Sequence, residues 1–123
     1  MPIDVLDADG LCATVVAFRD ALQAHRESIN NLNVYPVPDG DTGTNMSLTL
    51  VSVVDELDQL SADAELGAVC EAISHGSLMG ARGNSGVIMS QILRGFSGVV
   101  RDRGTIDGPV FGEALAAAAK GAY

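Results

Sequence analysis

One stretch constrains the fold of this chain more than any other: residues 33–46, which read NVYPVPDGDTGTNM. Pro36 and Pro38 fix φ and disfavour helix in the residue before each of them, so they predict an extended, stiff segment. Asp39 and Asp41 then flank one glycine, which permits tight backbone geometry and the close approach of a ligand. We therefore expect one helix to end before this stretch and another to begin inside it.

The two carboxylates predict a metal site. Two acidic side chains this close repel each other unless a cation lies between them, and Mg²⁺ and Ca²⁺ both take oxygen ligands. Mg²⁺ commonly uses one or two carboxylates together with substrate phosphates. The alternative is structural: Asp39 and Asp41 would be turn and N-cap residues without a metal, because Asp and Gly are common turn formers. The residue types alone leave this alternative open.

Two other acidic motifs fit this stretch poorly. Phosphatases that form an aspartyl-phosphate carry Asp-x-Asp after a buried apolar strand, whereas Pro36-Val-Pro38 precedes the first aspartate here. An EF-hand loop needs a ligand at its fifth position, where Gly43 stands, and a glutamate at its twelfth, where Leu50 stands. We reject both interpretations.

The spacing of apolar residues predicts an all-α fold with about five helices. No segment alternates with a period of two between hairpin signals, so no strand is expected. The second helix should begin near Thr42, where its first-turn amides, which lack internal partners, would suit a phosphate. The five helices are expected over residues 9–31, 42–60, from a turn at 61–63 to 78, from 84 or 85 to 102, and 109–123.

A second glycine-rich stretch covers residues 76–86, GSLMGARGNSG. Its glycines are not expected in one undisturbed helix, because each costs about 1 kcal/mol there relative to alanine; they are Gly76, Gly80, Gly83 and Gly86. We predict a helix end, a tight loop and a new helix opening at Asn84 or Ser85. These two residues are good N-caps, but the free amides and the Ser85 hydroxyl could equally cradle a phosphate. Both interpretations stay open.

Composition narrows the class of protein. The chain has a formal net charge of −9, with 47% hydrophobic and 19% charged residues, which indicates a globular domain. Such a charge argues against binding to nucleic acid or an anionic membrane, and an anionic ligand would need a bridging metal. Cys12 and Cys70 are expected to be free thiols. The acidic N-terminus and the lack of an apolar run of about 20 residues favour a cytoplasmic protein without a membrane span.

Two stretches carry a resemblance to a known family. Residues 33–46 and residues 79–91, MGARGNSGVIMSQ, closely resemble the two signature stretches of the nucleotide-binding domain of fatty acid kinase A. That domain is similar in turn to the ATP-binding, DhaL-type domain of dihydroxyacetone kinases. The resemblance covers about residues 8–123, and the variant Tyr-Pro-Val-Pro at 35–38 favours the fatty acid kinase branch. It implies an antiparallel barrel of eight helices, of which this chain would supply about five.

The resemblance also implies the residues of the site. Carried over by position, Asp39 and Asp41 would be the catalytic pair and the Mg²⁺ ligands. Asn33 would be a third ligand, since it stands near the position where dihydroxyacetone kinases place another aspartate. The phosphates of ATP would lie against two groups of residues, Thr42, Gly43, Thr44 and Asn45 in the first stretch and Asn84, Ser85 and Gly86 in the second.

The implied activity is transfer of a phosphoryl group from ATP to a fatty acid carboxylate, presented by a separate fatty-acid-binding protein, to give an acyl phosphate. Such a transfer depends on positioning and charge neutralisation and needs no protein nucleophile. Two alternatives are a dihydroxyacetone kinase-type subunit and a regulatory module that binds nucleotide without catalysis. We also expect this chain to be the N-terminal part of a longer protein, whose later regions bind the partner and which could form a homodimer.

Overall fold

The computed structural model describes residues 5–32, 40–103 and 105–122, and every regular element in these ranges is a helix. The predicted all-α class is therefore confirmed. An isolated antiparallel bridge between Leu6 and Ile106 ties the start of the described chain to the connection before the last helix. The helices are α1 (Ala8–Ala24), α2 (Arg26–Asn31), α3 (Thr42–Asp58), α4 (Leu66–Gly80), α5 (Gly83–Val100) and α6 (Gly108–Gly121).

The described residues thus form six helices, where about five were expected, because the first predicted helix is split in two. The break falls at His25, whose φ of −106° and ψ of 11° leave the helical region. The change of direction allows α2 to pack against the beginning of α3. There the carbonyl oxygen of Arg26 comes so close that a β-carbon at Gly43 would lie 2.4 Å from it.

The predicted helix end, tight loop and new helix in the second glycine-rich stretch are confirmed, although α4 ends at Gly80, two residues later than expected. Gly76 and Gly80 both lie inside α4. Here they allow α4 to approach α3 closely: a β-carbon at Gly76 would lie 2.9 Å from the α-carbon of Val53, and one at Gly80 would lie 2.2 Å from the β-carbon of Ser52. The tertiary contact outweighs the low helix propensity of glycine.

The remaining two glycines mark the beginning of α5. Gly83 has a φ of +64°, in the left-handed region that favours glycine, and it is the first residue of the helix. The predicted caps Asn84 and Ser85 are therefore not caps, because the N-cap position belongs to Arg82. Gly86 lies buried in the first turn.

The order of the helices places α3 and α5 side by side. Within the contact described above, Gly76 faces Val53 while Gly80 faces the earlier residue Ser52, so α3 and α4 run antiparallel. A short connection then leads back into α5, which packs against α3, α4 and α6. The N-termini of α3 and α5 consequently lie at the same end of the bundle.

The core lies mainly between α1, α3 and α4. Its largest fully buried side chains include Leu50, Val53, Val69 and Ile73. One side of α5 is not buried, because Val87 and Ile88 are 47% and 46% exposed. Among the described residues, no helix covers that side of α5.

Three smaller features complete the description of the fold. Asp107 caps α6, since its carboxylate accepts a hydrogen bond from the Val110 amide at 2.9 Å. Cys12 and Cys70 are free cysteines, as expected. None of the helices in the described ranges has the length and apolar character that crossing a bilayer requires. The closed barrel of eight helices stays a prediction.

Candidate functional site

The acidic stretch enters α3 through a tight turn. Gly40 has a φ of +68°, which favours glycine, and Asp41 follows at the N-cap position. The backbone carbonyl of Asp41 accepts a hydrogen bond from the Asn45 amide at 2.9 Å, but its exposed carboxylate makes no capping hydrogen bond to α3. Asp41 therefore stands at the N-cap position, as the structural alternative expects, but its carboxylate does not cap the helix.

The metal site is only partly within the described residues. Asn33 and Asp39 lie outside them, so the predicted set of ligands is represented by Asp41 alone. In the part of the chain that the structure describes, no three acidic, histidine or cysteine side chains gather into a metal-binding group. An exposed carboxylate without a capping bond is the hard oxygen donor that Mg²⁺ prefers. Asp41 thus fits a magnesium site, and the complete set of ligands stays a prediction.

Asn30, at the end of α2, takes the capping role at α3. Its Oδ1 atom accepts hydrogen bonds from the amides of Gly43 at 2.7 Å and Thr44 at 3.2 Å. Its Nδ2 atom donates to the Thr44 hydroxyl at 3.0 Å. Two of the first-turn amides that the sequence offered to a phosphate are therefore already occupied by a side chain.

The N-terminus of α5 differs in this respect. Its first amide with a partner is that of Gly86, which donates to the Arg82 carbonyl at 3.0 Å. The amides of Gly83, Asn84 and Ser85 have no partner among the described residues, and no side chain caps the helix. Amides without an internal partner at the positive end of a helix dipole are of the kind that can donate to an anion.

The two helix N-termini touch each other. A β-carbon at Gly83 would lie 2.5 Å from the Nδ2 atom of Asn45, in the first turn of α3. One turn further along, the buried Thr49 hydroxyl donates to the Asn45 carbonyl at 2.8 Å and accepts from the Arg82 amide at 3.2 Å. These contacts bring the described start of α3 and the start of α5 together at one end of the bundle.

Sequence reasoning missed three residues of this junction. Asn30 and Thr49 connect segments that are far apart in the chain, so helical periodicity gave no signal for either. Arg82 was treated as part of a loop, although its exposed side chain has no ion-pair partner within the described ranges and its charge is opposite to that of a phosphate. The pattern of a basic residue next to a glycine-rich helix start could have indicated it.

Comparison with known proteins gives consistent relatives. Residues 36–123 match the family model described as the DAK2 domain. Over 123 residues, 100% of this chain and 22% of the relative, the chain is 44% identical to Protein YloV of Bacillus subtilis. It is 40% identical over 121 residues, 98% of this chain and 22% of the relative, to an uncharacterized protein of Staphylococcus saprophyticus.

A further relative is an uncharacterized protein of Staphylococcus aureus strain USA300, with 43% identity over 102 residues, 83% of this chain and 18% of that protein. The chain thus spans about a fifth of the length of the curated relatives it matches. The family model covers most of the chain, including α3 and α5, whose N-termini form the junction described above. The chain belongs to the DAK2 domain family.

Proposed function

We propose that this chain is the ATP- and Mg²⁺-binding part of a kinase that phosphorylates a fatty acid carboxylate presented by a separate binding protein. The single observation that supports it most is the junction of α3 and α5. There the carboxylate of Asp41, at the N-cap of α3, makes no capping hydrogen bond, and three amides at the start of α5 have no partner among the described residues. Membership of the DAK2 family supports the coarser statement, that the domain is related to nucleotide-binding kinases.

The described residues suggest how the phosphates would be held. The amides of Gly83, Asn84 and Ser85 would donate to phosphate oxygens, and the dipole of α5 would favour their negative charge. The Ser85 hydroxyl and the Arg82 guanidinium would contribute a further donor and a positive charge. Mg²⁺ bound by Asp39 and Asp41 would neutralise phosphate charge, which matters in a chain with a net charge of −9.

The proposed phosphoryl transfer needs neither a protein nucleophile nor a general base. A carboxylate oxygen of the acceptor forms a bond to the γ-phosphorus of ATP, the bond to the bridging oxygen breaks, and ADP leaves with the electron pair. The carboxylate carries no proton, so no general base is required. Because the transition state is loose, the protein contributes mainly through positioning and charge stabilisation, which fits a site of amides and carboxylates without a nucleophile.

The same proposal extends beyond the chain. We place it as the N-terminal nucleotide-binding part of a longer cytoplasmic protein, since the relatives are about five times as long. Regions outside residues 1–123 would bind the fatty-acid-loaded partner, and the full-length protein could assemble as a homodimer. The second candidate, phosphorylation of dihydroxyacetone, is favoured by the family match to the DAK2 domain.

One assay separates these possibilities. The full-length protein is incubated with Mg-ATP and either a fatty-acid-loaded binding protein or dihydroxyacetone, and hydroxylamine traps any acyl phosphate as a hydroxamate. The proposal predicts acyl hydroxamate with the lipid-loaded protein and no product with dihydroxyacetone. Formation of dihydroxyacetone phosphate alone would contradict it in favour of the second candidate. Nucleotide binding without transfer to either acceptor would favour a regulatory module.

A further inference from the structure

We propose that Asn30 is a positioning residue for the nucleotide phosphates, although it lies outside both glycine-rich stretches. It would orient the Thr44 hydroxyl as a donor to phosphate. It would also occupy two amides of α3, so that the phosphate is bound by the amides of α5 instead. This inference rests on the proposed binding of ATP at the junction of α3 and α5.

The chemistry of the contacts fixes the orientation of the Asn30 side chain. The amides of Gly43 and Thr44 can only donate, so the atom that faces both of them must be the carbonyl oxygen, Oδ1. The other atom, Nδ2, is therefore a donor, and the Thr44 hydroxyl that it contacts at 3.0 Å acts as the acceptor. The direction of all three hydrogen bonds follows from the two backbone donors.

This arrangement determines what Thr44 can offer to a ligand. Because its oxygen accepts from Asn30, the hydroxyl proton points elsewhere, and the half-buried hydroxyl makes no other hydrogen bond among the described residues. A hydroxyl whose acceptor side is occupied is an oriented donor. Thr44 lies in the first turn of α3, three residues from the exposed Asp41 and next to Asn45, which contacts Gly83. From there such a donor would face a phosphate oxygen.

Asn30 also makes the N-termini of α3 and α5 differ in the amides that they can offer to an anion. Its Oδ1 atom saturates the Gly43 and Thr44 amides, so α3 cannot offer them to a phosphate. In the described ranges, the first three amides of α5 have no partner. The cap is neutral. An aspartate would satisfy the same two amides, but it would add a negative charge beside the anion and lose the donor to Thr44.

Gly43 makes this contact possible. A β-carbon at residue 43 would lie 2.4 Å from the Arg26 carbonyl oxygen and 3.0 Å from Oδ1 of Asn30. Only a glycine therefore allows α2 to approach closely enough for its last turn to cap α3. We therefore propose that Gly43 acts through the packing of α2 against α3 and not by donating its amide to a phosphate.

The test compares Asn30→Asp with Asn31→Asp in the full-length protein. Both variants make the same charge change on the same short helix, but Asn31 is exposed and makes no side-chain hydrogen bond within the described ranges. Calorimetry gives the dissociation constant of Mg-ATP, and thermal unfolding monitors the fold. Because Asn30→Asp retains the acceptor for both amides, a purely structural cap predicts near-normal binding. Our inference predicts binding weakened at least tenfold, against less than twofold for Asn31→Asp.

A double-mutant cycle with Thr44 provides the second readout. Thr44→Val should weaken binding about tenfold, Thr44→Ser should retain it, and Thr44→Val should have little further effect in the Asn30→Asp background. Equal binding by Asn30→Asp and Asn31→Asp, or fully additive effects in the cycle, would overturn the role of Asn30 and leave the proposed function intact. A well-folded wild-type protein that does not bind Mg-ATP would overturn both.

Discussion

The side-chain amide of Asn45 lies over Gly83 so closely that a β-carbon at residue 83 would approach its Nδ2 atom to 2.5 Å. Asn45 belongs to the first turn of α3, and Gly83 begins α5. The buried Thr49 hydroxyl bridges the same two helix ends. A ligand held by either helix end would therefore be positioned relative to the other helix end.

The contact between Asn45 and Gly83 predicts that Gly83→Ala is destabilising. The left-handed backbone alone costs a β-carbon-bearing residue about 1–2 kcal/mol, and displacing Asn45 adds to this cost. Urea unfolding should show the loss, and the Asn45→Ala background should reduce it without removing it. Gly98→Ala in the same helix is the matched control, because no atom lies within 4 Å of its added carbon. That control should gain about 0.5–1 kcal/mol.

The close approach of α3 and α4 predicts a second effect. Gly80→Ala would place a β-carbon 2.2 Å from that of Ser52, so the helices must separate, at a cost of about 1–3 kcal/mol in the free energy of unfolding. Ser52→Gly should restore much of the stability lost by Gly80→Ala, since it removes the obstructing carbon. Gly112→Ala, where the added carbon meets nothing within 4 Å, should not be destabilising. Equal losses at residues 80 and 112 would contradict the packing argument.

The buried thiol of Cys70 predicts a loss of stability at alkaline pH. Burial raises its pKa to about 11, partly offset by the charge of Arg101 and by the Ser97 hydroxyl. An exposed thiol in the unfolded chain ionises near pH 9, so the unfolded state loses its proton first as the pH rises. The contribution of the buried, protonated thiol to the free energy of unfolding is fully present below pH 9. It should be lost by about pH 11, which lowers the free energy of unfolding by up to about 3 kcal/mol.

Chemical denaturation at pH 8 and at pH 10.5 checks this prediction. Cys70→Ala should flatten the pH dependence between these values. Cys12→Ala is the control, because burial raises the pKa of that less buried thiol as well, but by a smaller amount. If Cys70→Ala leaves the pH dependence of the free energy of unfolding unchanged, groups other than Cys70 cause the loss of stability at alkaline pH.

Local signals in the sequence predicted much of the fold. Apolar periodicity indicated the all-α class, and the expected start of the second helix near Thr42 is where α3 begins. Each of these depends on residues within one or two turns of each other. Such signals indicate where a helix begins, although they did not show the break at His25 after which α2 begins.

The remaining features depend on contacts between distant segments. Gly80 stays helical because Ser52 of α3 lies against it. The spacing of apolar residues within α4 cannot predict this contact, because it depends on a residue of another helix. In the same way, Asn30 caps a helix that begins 12 residues later in the chain. The grouping of the two glycine-rich stretches was predicted only through the family resemblance. The connections that hold them together, through Asn45 and Thr49, required the structure.

The central claim is that the junction of α3 and α5 binds a nucleotide through a metal. Calorimetric titration of Mg-ATP into the full-length protein, with and without Mg²⁺, tests it most directly, with Asp41→Asn and Asp55→Asn as a matched pair. Asp41 begins α3 at the junction, whereas Asp55 is exposed further along the same helix. We predict Mg²⁺-dependent binding that Asp41→Asn weakens at least tenfold and Asp55→Asn leaves unchanged. Equal effects of the two substitutions, or binding independent of Mg²⁺, would contradict the claim.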